Sequence, residues 1–214
     1  MAQTNTEIIT SSGSQFVPQE KISYEEFLVK YDGQYAEYVE GKVIEPMSVT
    51  KMHKEITNFL STLLQFFVEQ KKLGKIYGEP YQMKMEIDDE IIGREPDIFF
   101  VSNEKSDRLM KQFYDGAADL VIEVISPESI TRDTKDKFEE YEKAGVREYW
   151  IIDHERRTAN FYGLDEENRY KLLLPDSDTK FESRAIEGLW IKTDWLWQEE
   201  LPNLMDILKE WELI

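Results

Sequence analysis

A long helix is predicted by the spacing of apolar residues in the first third of the chain. After Thr50, hydrophobic side chains recur every three or four residues, which places them on one face of an α-helix. These residues are Ile56, Phe59, Leu60, Leu63, Leu64 and Phe67. Lys71 and Lys72 suit the negative end of the helix dipole, and Gly74 is expected to end the helix.

Two shorter helices are predicted near the ends of the chain. Ser23 and Glu26 fit a capping box that opens a helix over residues 23–32. An amphipathic helix is expected near residues 198–212. Residues 1–20 are rich in Ser, Thr and Gln, and we predict that they form a flexible tail before a single domain over residues 21–214.

Short apolar runs between turn residues predict strands. Residues 119–126 and 146–153 are strongly β-prone, and a predicted helix over residues 133–144 separates them. This order indicates a βαβ unit, and therefore a partly parallel sheet. Further strands are expected at residues 35–39 and 42–46, within 75–102, and near 158–163, 169–174 and 181–185. The fold class is α/β (α+β), with a mixed central sheet flanked by helices.

Composition narrows the compartment and the possible chemistry. The 214 residues include no cysteine, which excludes disulfides and thiolate metal sites and favours a reducing cytoplasm. No apolar run approaches the length of a membrane span. The net charge of −18 opposes binding to nucleic acid, but a carboxylate-rich site that holds divalent ions is itself acidic.

Glu123 interrupts an otherwise apolar strand. Strand alternation places its carboxylate on the same face as Val121 and Ile125. A buried carboxylate is costly unless it is paired or binds a metal ion, so Glu123 is a candidate functional residue. The alternative is an edge strand on which Glu123 faces water.

Asp97 and Lys137 are the candidates that could act beside Glu123. Asp97 follows Pro96 and opens the apolar strand that begins at Ile98, but a turn hydrogen bond would explain it equally well. Lys137 shares one helix face with Asp133 and Tyr141, since the three residues are four apart. A lysine at that place could orient or deprotonate a water and stabilise a negatively charged transition state; the alternative is a solvated helix lysine.

These residues also carry a resemblance to a known family. Pro96-Asp97 followed by Glu123 resembles the PD-(D/E)XK nuclease signature. The string from Ala117 to Asp153 resembles the Uma-two family of restriction-type endonucleases, and the similarity extends over roughly residues 23–195. In the wider superfamily a lysine usually stands two residues after the glutamate, where this chain has Ile125; in the resembling family the lysine is thought to lie on the next helix, which indicates Lys137.

The resemblance implies a restriction-endonuclease-like fold and a Mg²⁺-dependent endonuclease acting on DNA, with Mn²⁺ as a possible substitute. Asp97, Glu123 and the carbonyl of Val124 would hold the metal, and Lys137 would place the attacking water. Glu37 would complete a second metal site or brace Lys137. The implied accessory residues are His53, Asp133 and Tyr141. The oligomeric state usual in the resembling family and the large number of aromatic residues also suggest a homodimer.

Two other classes of function stay open at this point. The first is a catalytically inactive nuclease-fold module that binds nucleic acid or a protein partner, which the negative charge and the displaced lysine favour. The second is a glycosidase that uses Asp97 and Glu123 as an acid and base pair, which the short chain and the nearby lysine disfavour. No motif of a serine hydrolase or of a phosphate-binding loop is present.

Overall fold

The computed structural model describes residues 15–16, 21–45, 48–126, 129–175 and 179–214. These ranges form two six-stranded sheets, a two-stranded sheet and four α-helices. The helices are α1 Tyr24–Lys30, α2 Lys51–Lys71, α3 Lys137–Ala144 and α4 Leu204–Glu210. The strands are β1 Gln15–Phe16, β2 Glu37–Val39, β3 Lys42–Glu45, β4 Gly74–Tyr77, β5 Gln82–Ile87, β6 Glu90–Arg94, β7 Ile98–Ser102, β8 Phe113–Asp115, β9 Leu120–Ile125, β10 Glu148–Asp153, β11 Thr158–Leu164, β12 Tyr170–Leu173, β13 Lys180–Glu182 and β14 Trp190–Lys192.

Both large sheets are mixed. The central sheet has the strand order β12-β11-β10-β9-β7-β4, in which β9 and β10 are parallel and the other neighbours antiparallel. The N-terminal sheet has the order β1-β3-β2-β6-β5-β8, with β5 and β8 parallel. The predicted mixed α/β fold is therefore confirmed. The βαβ unit expected over residues 119–153 is β9, α3 and β10.

Helix α2 covers one face of the central sheet. Its apolar face packs with the side chains of β9 that point the same way, such as Leu120 and Ile122, and with Trp150 of β10. Leu60 and Leu63 are fully buried in this layer. The apolar spacing that predicted α2 is thus the spacing that forms the larger core.

The opposite face of the central sheet packs against α3 and the N-terminal sheet. Val121 and Ile125 of β9 lie in this second core, together with Tyr141 of α3 and Tyr149 of β10. Because alternate residues of a strand point to opposite faces, Glu123 belongs to this side as well. The second core therefore surrounds a carboxylate.

The helix starts follow the capping chemistry of the sequence. The Ser23 hydroxyl accepts a hydrogen bond from the Glu26 N–H at 3.1 Å, and the Glu26 carboxylate accepts one from the Ser23 N–H at 2.9 Å. This is the predicted capping box, and it opens α1. Thr50 caps α2 in a similar way, because its hydroxyl accepts the His53 N–H at 3.2 Å.

The prediction that Gly74 ends α2 is wrong. The helix ends at Lys71, and Lys72 takes the left-handed conformation with φ of 56°. Gly74 is instead the first residue of β4, where a Cβ atom would lie 2.2 Å from the carbonyl oxygen of Val101. A glycine is needed there because β4 and β7 approach closely.

Other differences concern the ends of the chain. The C-terminal helix is shorter than expected, and β14 was not predicted. The predicted flexible tail lies outside the described residues, except for Gln15–Phe16, which pair with β3. None of the helices that the structure describes has the length and apolar character needed to cross a bilayer.

Candidate active site

Glu123 lies in the interior of the central sheet. Its strand β9 is paired with β10 on one side and with β7 on the other, and all six residues of the strand are buried. Only 3% of the surface of Glu123 is exposed. The alternative of a water-facing edge strand is therefore excluded.

Two hydrogen-bond donors meet the Glu123 carboxyl group. The Lys137 ammonium and the Tyr141 hydroxyl donate to Oε1 at 2.8 and 2.9 Å. Burial raises the pKa of Glu123 to about 8, although Lys137 acts in the opposite direction. A carboxyl group in this environment binds a proton or another cation readily at neutral pH.

Lys137 is buried among three carboxyl groups. Its Nζ lies 2.8 Å from Glu123 Oε1, 3.3 Å from Glu37 Oε1 and 3.6 Å from Asp133 Oδ1. Burial alone would lower the pKa of Lys137, but the three acidic neighbours outweigh it and raise the pKa above its ordinary value. Lys137 is therefore charged at neutral pH, and it faces Glu123 and not solvent.

The start of the helix brings these groups together. A π-helical segment, Arg132–Asp136, leads directly into α3 at Lys137. Asp133, Lys137 and Tyr141 face the same side, as their spacing predicts, and the Tyr149 hydroxyl donates to the Asp133 carbonyl at 2.9 Å. π-Helical turns are frequent at functional sites because they shift side chains out of the regular helical register.

Glu37 braces Lys137 from the N-terminal sheet. Its Oε1 also accepts the Glu95 N–H at 3.3 Å, and its Oε2 accepts a hydrogen bond from Arg94 at 2.8 Å. Burial alone would raise the pKa of Glu37, but Lys137 and Arg94 lower it to about 2. Glu37 is therefore ionised and joins β2 to α3 through Lys137.

Asp97 is held at the entrance to β7 by two contacts. Its Oδ1 lies 3.0 Å from His53 Nε2, and its Oδ2 accepts the N–H of Val124 at 2.7 Å. Val124 directly follows Glu123, so Asp97 is anchored to the strand that carries Glu123. The contact to Val124 uses the backbone N–H and not the carbonyl that the family resemblance implied as a metal ligand.

The structure thus places the candidate residues in two adjoining groups. The first group is Glu123, Lys137, Glu37, Asp133 and Tyr141. The second group is Asp97, His53 and Val124. The negative charge of Asp97 contributes to the raised pKa of Glu123, which shows that the groups share one electrostatic environment.

Arg94 and Glu140 are site residues that the sequence analysis missed. The Arg94 guanidinium donates two hydrogen bonds to Glu140, both at 2.7 Å, and a third to Glu37. It is 3% exposed and completes an ionic network with Lys137. Arg94 stands just before Glu95, Pro96 and Asp97 in the chain, which was the one signal that could have indicated it.

Several buried polar atoms at the site lack a hydrogen-bond partner among the described residues. They are His53 Nδ1, Glu95 Oε2, Arg132 Nε and Asp133 Oδ1. Burial and the nearby Glu37 raise the pKa of Glu95 to about 8. Such groups are rare in folded proteins and often mark the position of a water, an ion or a ligand.

The donor set fits a hard divalent ion. Asp97 and Glu123 supply carboxylate oxygens, and Mg²⁺ is commonly bound by one or two carboxylates while it retains several waters. The raised pKa of Glu123 marks a carboxyl group that a cation would stabilise in its ionised form. Among the described residues, no three His, Asp or Glu side chains are arranged so that they could hold a metal ion by themselves. Such an ion would therefore need waters or substrate oxygens as further ligands.

The mixed sheet and this acidic site define the class of protein as a restriction-endonuclease-like α/β domain. The chain belongs to the Uma2 family, described as "Putative restriction endonuclease", whose model matches residues 23–194. A solved structure with the same fold is a "putative nuclease belonging to DUF820" from Anabaena variabilis ATCC 29413. It is 20% identical, with a TM-score of 0.66 over 82% of this chain and 97% of that one. A search of curated proteins finds no match.

Proposed function

We propose that this protein is a Mg²⁺-dependent endonuclease that hydrolyses phosphodiester bonds of DNA. The observation that carries the proposal is the buried Glu123 carboxyl group, which meets Lys137 and Tyr141 on one side and adjoins the Asp97 group on the other. Membership of a family described as restriction endonucleases supports the reaction class. The net charge of −18 opposes binding to DNA, so the proposal depends on positive charge supplied at the site.

The proposed metal ligands are Asp97, Glu123 and the carbonyl of Val124, with Mn²⁺ as a possible substitute for Mg²⁺. A divalent ion there would polarise the phosphate and lower the pKa of a bound water. His53 and the Val124 N–H fix the two oxygens of Asp97, so this carboxylate is oriented before any substrate arrives. Such preorganisation is the main contribution that a protein makes to phosphoryl transfer.

Lys137 acts in this proposal as a hydrogen-bond donor and charge stabiliser, and not as a base. Its three acidic neighbours raise the pKa of the ammonium, so it keeps its proton at neutral pH. Nζ can then orient the attacking water and stabilise negative charge on the phosphorus centre. Glu37 and Asp133 hold Lys137 in place, and Tyr141 fixes the orientation of Glu123.

Cleavage of plasmid DNA tests the proposal. The wild-type protein is incubated with DNA in the presence and absence of Mg²⁺ or Mn²⁺, beside the Asp97→Ala and Glu123→Ala variants. We expect cleavage that requires the metal and both carboxylates. Cleavage that survives chelation of the metal, or the loss of either carboxylate, would contradict the proposed mechanism.

Two lysines on the same helical stretch provide a matched comparison for Lys137. Lys135 is exposed, whereas Lys137 is buried against Glu123. We expect Lys137→Ala to abolish cleavage and Lys135→Ala to leave it unchanged. The opposite pattern would show that Lys135, and not Lys137, is the catalytic lysine.

A second candidate function is a nuclease-fold module that binds nucleic acid or a protein partner without cutting. The observation that favours it is the complete pairing of Lys137 with three carboxyl groups, which leaves its amine fully engaged without substrate. Metal binding without cleavage of any nucleic acid would favour this module over the nuclease.

A homodimer and a cytoplasmic location complete the proposal. The large number of aromatic residues is weak support for a dimer, because Trp150 and Trp195 are buried in the core of the single chain. Light scattering on the purified protein measures the oligomeric state directly, and a monomeric mass at working concentration would remove the dimer from the proposal.

A further inference from the structure

The charges of the site do not favour a phosphate group. The six carboxyl groups are Glu37, Glu95, Asp97, Glu123, Asp133 and Glu140, and the three cationic side chains are Arg94, Arg132 and Lys137. A phosphodiester that enters this environment must find a cation with unused hydrogen-bond donors, because phosphate recognition depends on charge-assisted hydrogen bonds.

Two of the three cations are already occupied. Lys137 lies within 3.6 Å of three carboxyl groups. Arg94 donates three hydrogen bonds to Glu37 and Glu140 and is 3% exposed. Arg94 cannot turn to a substrate without breaking a buried ionic network, and Lys137 can act on the reacting group only while it keeps its carboxylate partners.

Arg132 differs from both in its contacts. Its nearest carboxylate oxygen is Asp133 Oδ1, 3.5 Å from Nε, and both of these buried atoms lack a hydrogen bond within the described part of the chain. Burial alone would lower the pKa of Arg132, but the charges of Asp133, Glu37 and Glu123 outweigh burial and raise it. The Arg132 guanidinium, which carries up to five N–H donors, therefore stands beside the reacting carboxylates, and its Nε donor is unused among the described residues.

The position of Arg132 also leaves room for a ligand. Its side chain is 17% exposed and lines a cavity of about 350 Å³ next to Arg94. The same cavity is lined by six acidic residues, Glu40, Asp88, Glu90, Asp136, Glu139 and Glu140. Its third basic residue, Lys143, pairs with Asp88 at 2.9 Å. A phosphate at this place would therefore depend on Arg132.

We propose that Arg132 is a substrate-binding residue whose guanidinium donates hydrogen bonds to a phosphate oxygen of the DNA strand at the site. This inference rests on the proposed function, because it names the contact that lets an acidic site accept a phosphodiester. Arginine suits the role because its planar fork can make two parallel hydrogen bonds to one phosphate.

Binding of a labelled DNA duplex in Ca²⁺ tests the inference, since Ca²⁺ is also bound by oxygen ligands. Anisotropy titrations over a series of salt concentrations compare the wild type with Arg132→Gln, Arg132→Lys and Lys135→Gln. We expect Arg132→Gln to bind on the order of tenfold to a hundredfold more weakly, as the loss of a charge-assisted hydrogen bond implies. The slope of log affinity against log salt should fall by about one unit.

The two control variants separate a specific contact from a general effect of charge. Lys135→Gln removes the same charge from an exposed position and should bind like the wild type. Arg132→Lys keeps the charge and should recover part of the affinity. Equal affinity of Arg132→Gln and the wild type, or equal losses in Arg132→Gln and Lys135→Gln, would overturn the inference and leave the proposed function standing. A wild type that neither binds nor cuts DNA would overturn both.

Chemical modification of the wild-type protein provides a measurement that does not depend on whether a variant folds. Phenylglyoxal reacts with accessible arginine side chains, and peptide mass mapping locates the modified residues. DNA should protect Arg132 and leave the exposed Arg157 reactive. Equal reactivity of Arg132 with and without bound DNA would contradict the proposed contact.

Discussion

Lys137 is the side chain on which most of the site depends. It lies within 3.6 Å of Glu123, Glu37 and Asp133, which belong to β9, β2 and the π-helical segment. Each carboxyl group is almost entirely buried, so water cannot replace the ammonium as a partner. Lys137 therefore has a structural role in addition to the role proposed in catalysis.

Replacement of Lys137 by Met should destabilise the protein strongly. Removing one partner of a buried ionic group leaves uncompensated charge and costs about 3–5 kcal/mol. Urea denaturation measures the free energy of unfolding of Lys137→Met beside Lys135→Met, which should stay within about 0.5 kcal/mol of the wild type. Equal stability of the two variants would contradict the ionic network described for Lys137.

Glu123 should make the protein less stable as the pH rises from about 4.5 to about 8. Burial raises the pKa of the folded carboxyl group to about 8, from an ordinary value of 4.5. In this window the folded state keeps a proton that the unfolded state has released, so stability decreases with increasing pH. Glu123→Gln cannot ionise, so its unfolding free energy should depend less on pH than that of the wild type.

Glu95 contributes to the same pH window, since its pKa is also raised to about 8. The relevant quantity is therefore the difference in slope between the wild type and Glu123→Gln, and not the slope of either protein alone. Denaturation curves at a series of pH values between about 4.5 and about 8 provide this difference in slope. Identical slopes would show that Glu123 is ionised throughout the window.

At the residue scale, the sequence allowed prediction of Glu123 but not of its ionic surroundings. A carboxylate inside an apolar strand is visible in the sequence without any structure. Arg94 is different, because it meets Glu140 and Glu37 across 46 and 57 residues of chain. Nothing local marks such a pair, so only the assembled sheets show it.

At the scale of helices and strands, the periodicity of apolar residues predicted the elements but not the places where two strands approach closely. The spacing of apolar residues predicted α2, which has one continuous buried face. Continuous β-prone runs predicted β9 and β10, which are buried throughout. Gly74 was assigned to a helix end because glycine often has that role. The glycine is needed because of the backbone of β7, whose Ser102 is 28 residues away in sequence and becomes a neighbour of Gly74 only through strand pairing.

Gly74→Ala should therefore weaken the edge of the central sheet. Its Cβ would lie 2.2 Å from Val101 O and 2.9 Å from the Ser102 Cα, and backbone atoms cannot rotate away. Overpacking of this kind costs about 1–3 kcal/mol. Thermal or urea unfolding of Gly74→Ala measures the loss.

Gly163→Ala is the matched control on another strand of the same sheet. Its Cβ would first meet the end of the Leu173 side chain, at 3.0 Å, and that side chain can move. We expect a markedly smaller loss of stability than for Gly74→Ala. A larger loss at Gly163 would show that the spacing between β4 and β7 does not limit the fold.

The whole molecule combines an acidic surface with a site proposed to bind a polyanion. The net charge of −18 produces a field that repels DNA, and the sequence alone already indicated this conflict. Composition could not predict which cationic side chains are available to a substrate. Lys137 and Arg94, for example, form ion pairs with carboxylates inside the protein. In the proposed mechanism, divalent ions supply the positive charge that these two side chains do not, with Arg132 as the proposed protein contact.

DNA binding should consequently respond in opposite directions to two kinds of salt. NaCl weakens protein–DNA association by competing for phosphate contacts, and it should do so here. Mg²⁺ at low concentration should instead strengthen binding, because it occupies the carboxylate site and reverses the local field. Anisotropy titrations separate the two effects. They are performed at matched ionic strength with Lys137→Arg protein, after an assay has shown that this variant does not cleave DNA. If Asp97→Ala loses the Mg²⁺ enhancement of DNA binding and the surface variant Glu200→Ala retains it, the responsible ion lies at the proposed site. Equal enhancement in both variants would place the ion elsewhere on the acidic surface.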